Sequence, residues 1–319
     1  MQDVTYHTVS EQRTARALED ICTRTFRRYQ WLRYDDLSLT GLQKAHDELL
    51  DHVAARTLAD PALDESARIA LQTAAECSLG ILSAGCYPDG DQEIRFLLID
   101  EKLSSDDITF GDDVVEQAPT ARTWWDTFAI CLVSGLVWEW RRVTGLLLLE
   151  DYAPEIRAGV PYSTLPSTSE PADLATMDAL CGYLTPAQGH LPRHWPTVPL
   201  RRPDADERAE AARRLDAAGP LTPDQHLLRV LLDDDERAFE QALVARLTEH
   251  RESLGSDPAP RTLLPLGPLA LAVLAVQVHG WELGVRSGYL PHGILGSPRA
   301  LRVTADGDEN DLGNWTSRC

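Results

Sequence analysis

Residues 263–278 form the longest apolar stretch of the chain, LLPLGPLALAVLAVQV. Pro265, Gly267 and Pro268 interrupt this stretch, and it is shorter than the roughly 20 residues that an α-helix needs to span a bilayer. From Pro268 to His279 the predicted helix is apolar on every side rather than along one stripe. Such a helix must be surrounded by other elements. We therefore expect it at the centre of a globular fold, with Pro268 as its first residue.

The rest of the sequence shows helical periodicity with a single interruption, which predicts an all-α fold containing one small β-hairpin. The interruption lies near residues 92–110. Ile94, Phe96 and Leu98 occupy alternating positions there, as in a β-strand. Residues 108–110 follow a polar turn and are predicted to form the second strand.

The predicted helices are compatible with one large domain. We expect that domain to comprise residues 1–296, with a proline-rich connection at about residues 185–203. Residues 297–319 contain several acidic residues and no apolar periodicity, which predicts a loose acidic tail.

The chain is strongly acidic. Its 319 residues include 50 Asp or Glu against 30 Lys or Arg, giving a formal net charge of −20 at pH 7. Nucleic acids and anionic membranes would be repelled, so we expect neither as a partner. A protein with a basic surface is the natural complement. The first twenty residues lack the basic and apolar regions of a signal peptide, so we expect a cytoplasmic protein.

The acidic residues are most concentrated in residues 89–116, where ten acidic side chains and two basic ones give a net charge of −8. This segment contains two pairs of neighbouring aspartates, Asp106 with Asp107 and Asp112 with Asp113. One interpretation is that the charges keep a hairpin edge solvated. The other is a docking face for a basic partner, with these four aspartates as candidate partner-binding residues.

Motifs of common catalytic sites are missing from the sequence, which has no glycine-rich phosphate loop, no GxSxG and no HExxH. We therefore predict no catalytic residue, no cofactor and no metal site. His190 and His194 are four residues apart, but Pro192 excludes the helix that would place both on one face. Residues 46–52, HDELLDH, could supply half of a carboxylate-rich metal site. We favour a helix face stabilised by local ion pairs.

Trp124 and Trp125 belong to a predicted apolar helix and could line a ligand pocket, although packing in the core is the more common role of such tryptophans. The corresponding alternative function is an enzyme or a ligand-binding accessory protein of a biosynthetic gene cluster. The neighbouring gene distinguishes the two classes of function. A toxin gene favours an immunity protein, and biosynthetic genes favour the alternative.

Several motifs occur in a recognisable order in the C-terminal third of the chain. They are FEQAL at residues 239–243, EH at 249–250, LGPLA at 266–270 and YLP at 289–291. The run RTWWDTF at residues 122–128 lies upstream of them. In the order and spacing of these motifs, the chain resembles the immunity protein 49 family of bacterial polymorphic toxin systems. None of these motifs is catalytic.

The resemblance implies an all-α, cytoplasmic protein that protects its producer by binding a cognate toxin tightly. Many toxins of such systems are nucleases with basic active surfaces. An acidic inhibitor would be steered onto such a surface and would mask it. The resemblance therefore implies a basic toxin as the partner.

Overall fold

The computed structural model of the chain describes residues 2–35, 38–90, 92–104, 118–139, 142–163, 167–186 and 200–296. In these residues helices pack around an apolar core that extends from Val4 to Ile294. The N-terminal helices are α1 (Glu11–Leu18), α2 (Ile21–Tyr34), α3 (Leu39–Thr57) and α4 (Glu65–Cys86). The middle helices are α5 (Ala121–Val133), α6 (Thr144–Leu146), α7 (Ala153–Arg157) and α8 (Pro171–Cys181). The C-terminal helices are α9 (Ala205–Ala217), α10 (Pro223–Leu232), α11 (Glu236–Ser253), α12 (Leu266–Gln277) and α13 (His292–Leu295). The predicted all-α fold is confirmed.

Four short strands accompany the helices in the described part of the chain: β1 (Gln2–Val4), β2 (Glu93–Phe96), β3 (Glu101–Ser104) and β4 (Val285–Ser287). Strands β2 and β3 form the predicted antiparallel hairpin. Its second strand begins at Glu101, because Asp100 adopts a left-handed conformation (φ 54°) and reverses the chain earlier than predicted. The predicted second strand, residues 108–110, lies outside the described residues.

The parallel pairing of β1 with β4 was not predicted from the sequence. It places Gln2 beside Val285 and Val4 beside Ser287, joining the two ends of the described chain. Three-residue strands are too short to show an alternating pattern. Two further predicted segments, residues 187–199 of the proline-rich connection and the tail at 297–319, lie outside the described residues.

Helix α12 is buried along most of its length, as expected for the central helix. Leu271 and Leu274 are fully inaccessible to solvent, and α12 packs against α5, α10, α11 and α13. The helix begins at Leu266, so the prediction that Pro268 is its first residue is wrong. Pro268 is the third residue. A proline is tolerated there because the N–H groups of the first turn have no partner within the helix.

Gly267 allows a polar group to approach the start of α12. The Asp224 side chain of α10 lies against Gly267, and a Cβ at this position would overlap the Asp224 carboxylate. Arg246 of α11 donates a hydrogen bond of 2.5 Å to the same carboxylate. The LGPLA motif therefore includes a glycine because an ion pair between α10 and α11 occupies the space of its missing side chain.

A buried ion pair connects α4 to the segment before α6. Arg142 donates from Nε to Glu76 Oε1 at 2.9 Å and from Nη2 to Glu76 Oε2 at 2.6 Å. Its Nη2 also donates to the Glu93 carbonyl of β2 at 3.0 Å. The Glu76 side chain is 1% exposed, so its charge is stabilised by Arg142 rather than by water. This contact holds the hairpin against α4.

Two segments of the described chain are long and apolar enough to cross a membrane by length and composition alone, Glu65–Cys86 and Pro260–Gln277. Within the protein, however, 83% and 78% of these two windows are buried. Their apolar surfaces are thus already covered by other helices of the same chain.

We expect Leu271→Ala to lower the free energy of unfolding by about 2–5 kcal/mol, because the truncation leaves a cavity in a site without solvent access. The measurement is denaturant unfolding followed by circular dichroism. Leu18→Ala is the control, since Leu18 is 42% exposed and its truncation should change stability by only about 0.5 kcal/mol. Equal effects of the two substitutions would contradict a central position of α12.

We expect Gly267→Ala to destabilise the protein by about 1–3 kcal/mol, because the added Cβ displaces the Asp224 carboxylate. In an Asp224→Ala background the same substitution should be neutral or stabilising, since alanine favours helix formation over glycine. Unfolding free energies of the two single variants and the double variant test this. An equal cost of Gly267→Ala in both backgrounds would show that Asp224 is not the obstructing group.

Candidate partner-binding surface

An open cleft of about 760 Å³ lies between α1, α2, α3 and the segment that follows α11. Charged side chains of both signs line it. The arginines are Arg13, Arg16, Arg24, Arg27 and Arg28, and the carboxylates are Glu19, Glu48, Asp51 and Asp257. We refer to this feature as the arginine cleft.

Local sequence signals separate α1 from α2 and so shape the arginine cleft. Ser10 caps α1, and Asp20 caps α2 by accepting a hydrogen bond of 3.1 Å from the Thr23 N–H. Arg24 of α2 reaches back to the end of α1, where Nη2 donates to the Ala17 carbonyl at 2.8 Å. His52 of α3 forms a second hydrogen bond with this carbonyl, through Nδ1 at 3.0 Å. A cation is favourable at this position because helix C-terminal carbonyls are unpaired and partly negative.

Two arginines of the cleft are engaged in ion pairs. Arg13 Nε donates to Asp257 at 2.7 Å, and Arg28 is paired with Glu48. Arg16 and Arg27 are exposed and form no ion pair within the part of the chain that the structure describes.

Some hydrogen-bond donors in the cleft have no acceptor. The Nε atoms of Arg24 and Arg28 are buried and make no hydrogen bond to any described residue. Buried polar atoms are usually satisfied by protein, water or a ligand. The exposed guanidinium groups of Arg16 and Arg27 can bind carboxylate or phosphate oxygens.

Aromatic side chains accompany the arginines. Trp31 lines the cleft, and the Arg28 guanidinium lies 5.8 Å from the centre of its ring. Phe26 and Tyr34 of α2 are 44% and 68% exposed, although large apolar side chains are usually buried. Arginine and aromatic residues are enriched in protein interfaces and dominate their binding energy. The surface of α1 and α2 therefore has the composition of an interaction site.

Sequence analysis missed this surface, although its signal is present. Helix α2, ICTRTFRRYQWLRY, has four arginines and no acidic residue, in a chain with a net charge of −20. The overall charge and the acidic segment dominated the sequence interpretation. That the arginines of α2 and α1 line one cleft is visible only in the folded chain.

The four aspartates proposed as partner-binding residues, Asp106, Asp107, Asp112 and Asp113, lie in residues 105–117, outside the described residues. Their role stays a prediction.

Trp124 and Trp125 lie in the core on α5, 0% and 3% exposed. Trp124 donates from Nε1 to the Leu148 carbonyl at 2.9 Å and stacks on Phe128 with ring centres 5.4 Å apart. Neither tryptophan lines the arginine cleft or the second described pocket, which lies beside β1 and β4.

The acidic residues of the HDELLDH pattern, residues 46–52, are engaged by arginines of other elements. Glu48 is paired with Arg28 of α2, and Asp51 accepts a bond of 3.0 Å from Arg261. The helix face with local contacts that we favoured agrees with the structure at Asp47, which accepts a hydrogen bond of 2.9 Å from Gln43 of the same helix, whereas Glu48 and Asp51 pair with arginines of other elements. Among the described residues, no group of three or more His, Cys, Asp or Glu is placed to bind a metal ion.

One buried group of residues has the connectivity of a catalytic relay. The Tyr183 hydroxyl is 2.9 Å from His279 Nε2, and His279 Nδ1 is 2.8 Å from Asp234. Tyr183 and the His279 side chain have no solvent access, so a substrate cannot reach them. Arg208 pairs with the same aspartate at 2.9 Å. These bonds fix the end of α12 against α9 and α10.

Comparison with known proteins identified one family. The family model described as Immunity protein 49 matches residues 59–294 of the chain. Comparisons with curated proteins and with solved structures found no match. Helices α1, α2 and α3, which form most of the arginine cleft, precede the matched range.

We expect acidification from pH 7.5 to 5.5 to lower the free energy of unfolding, with a smaller loss in His52→Gln. Burial lowers the pKa of His52, and the positive charges of Arg24 and Arg56 lower it further. The hydrogen bond to the Ala17 carbonyl raises this pKa but does not outweigh the other effects. As the pH falls through about 6.5, the unfolded chain takes up this proton more readily than the folded protein, so stability is lost. Urea unfolding at both pH values is the measurement.

The matched control is His226→Gln, because His226 is exposed on α10. This variant should show the same loss of stability between pH 7.5 and 5.5 as the unmodified protein. A loss in His52→Gln as large as in the control would show that burial of His52 does not contribute to the pH dependence.

Proposed function

The chain belongs to the immunity protein 49 family, and we propose that it protects the cell that makes it by binding a toxin protein directly. The observation that carries this proposal is the family match, which includes the core helices α4, α5 and α12. We place the protein in the cytoplasm, where a toxin from a neighbouring cell would act.

The buried polar side chains are hydrogen-bonded to one another, which supports a function in binding rather than in catalysis. The Glu76 carboxylate forms an ion pair with Arg142. The His279 side chain has no solvent access and is hydrogen-bonded to Tyr183 and Asp234. Groups held in this way position helices. Inhibition by an immunity protein requires a complementary surface and no reaction.

We further propose that the toxin has a basic active surface, as a nuclease does. The net charge of −20 attracts a basic protein over a distance of about a Debye length, roughly 8 Å at physiological salt. Such attraction accelerates encounter and orients the partners before contact. The segment 89–116 carries the highest density of this charge, so it is the proposed contact for the toxin's basic residues.

Reversal of Asp106, Asp107, Asp112 and Asp113 to lysine should slow association with the toxin encoded by the adjacent gene by at least about tenfold at low salt. The dissociation rate should change less, because charges at the rim of an interface act mainly on encounter. Raising the ionic strength should reduce the difference between variant and unmodified protein. Surface plasmon resonance at two salt concentrations measures both rates.

A matched control separates the local role of the segment from the total charge. Reversal of Asp3, Glu236, Glu252 and Glu282, four exposed acidic residues elsewhere on the fold, changes the net charge by the same amount. If both variants associate equally slowly, total charge is responsible and the segment is not a contact. If the unmodified protein does not bind the toxin, the proposed function is wrong.

A further inference from the structure

The arginine cleft is basic on a protein whose other surfaces are mainly acidic, and the contact proposed above leaves it unused. Ion pairs within the protein occupy Arg13 and Arg28. Arg16 and Arg27 are free to bind an anion, since both are exposed and form no ion pair with any described residue, whereas Arg24 donates to a backbone carbonyl at the end of α1. The five arginines of the cleft exceed its four carboxylates, so an anionic ligand would balance the remaining positive charge.

We propose that the arginine cleft receives carboxylate side chains of the toxin, and that this contact fixes the orientation of the complex. The inference rests on the proposed function, because it names a second contact of the same partner. Planar guanidinium groups bind carboxylates through paired hydrogen bonds, which gives directional specificity as well as affinity. Trp31 adds apolar surface to the cleft, against which an apolar residue beside those carboxylates would pack.

The walls of the cleft favour carboxylates over phosphates as the anionic groups. Four acidic residues lie among its five arginines, so the excess of positive charge is small. A doubly charged phosphate group would meet repulsion from Glu19, Glu48, Asp51 and Asp257, whereas a singly charged carboxylate meets less. Nucleic acid is disfavoured further by the net charge of −20. A mixed wall of this kind matches the mixed charges of a protein surface.

The position of α2 explains why two contacts of opposite sign would orient the toxin. One flank of α2 lines the arginine cleft through Arg24, Arg27 and Trp31. The other flank packs on the hairpin that opens the acidic segment, where the Tyr29 hydroxyl donates to Glu101 at 3.0 Å. A toxin that contacts both flanks must place basic residues on one side and carboxylates on the other. Docking rotated by half a turn would bring like charges together, which costs binding free energy.

The test uses a charge-reversed double variant, Arg16→Glu with Arg27→Glu. Both side chains are exposed and lack ion pairs in the described chain, so the fold should be retained, which an unchanged thermal midpoint verifies. The matched control is the double variant Arg237→Glu with Arg286→Glu. Both arginines are exposed and do not line the cleft, and the control changes the net charge by the same amount as the cleft variant. Isothermal titration calorimetry measures the affinity for the toxin encoded by the adjacent gene. The same method measures the affinity for two anionic probes, hexaglutamate and pyrophosphate.

We expect the cleft variant to bind the toxin at least tenfold more weakly than the control variant, and to lose binding of hexaglutamate. Hexaglutamate should bind the unmodified protein more tightly than pyrophosphate does. Toxin affinity equal in the cleft and control variants would overturn the inference while leaving the proposed function intact. Tighter binding of pyrophosphate would also overturn it, because the cleft would then be a phosphate site. Failure of the unmodified protein to bind the toxin would instead contradict the proposed function itself, whatever the probes show.

Discussion

Helix α12 has no polar face, and this property constrains the arrangement of the elements around it. A helix that is apolar on all sides is stable in water only when neighbours cover its whole circumference. Here α5, α10, α11 and α13 cover it, and the Asp224–Arg246 pair lies over its first turn at Gly267. The motifs on which the family resemblance rested, LGPLA and FEQAL, belong to this buried assembly. They therefore record how the helices pack rather than which toxin is bound.

Helix α2 differs in charge from the chain as a whole. Acidic residues are in excess over the whole chain, whereas α2 has only basic charges, and it lies between the arginine cleft and the hairpin of the acidic segment. A uniformly acidic protein would attract a basic partner in many orientations. In the docking proposed above, adjacent contacts of opposite sign would restrict those orientations, because rotation of the partner would bring like charges together. The cleft also lies mostly outside the range that the family model matches.

The buried polar groups stabilise the fold by satisfying one another. Tyr183, His279 and Asp234 form a continuous row of hydrogen bonds at the end of α12, and Glu76 pairs with Arg142 between α4 and β2. Removing one member of such a group would leave a buried charge or donor without a partner, which is costly. Their connectivity resembles that of catalytic groups, but a substrate cannot reach side chains without solvent access. Geometry and burial together, rather than residue type, identify their role.

The sequence by itself determined the helical fold, the burial of α12 and the hairpin strand at β2, because hydrophobic periodicity reports directly which side of each element is covered. It also contained the family motifs, since these lie within single helices or short turns. Only the tertiary structure decided that Pro268 is the third residue of α12, that Asp224 fills the space at Gly267 and that β1 pairs with β4. It alone brought Arg16 of α1 beside Arg24 and Arg27 of α2. The physical reason is that these features depend on contacts between residues distant in sequence, for which local periodicity and composition carry no signal.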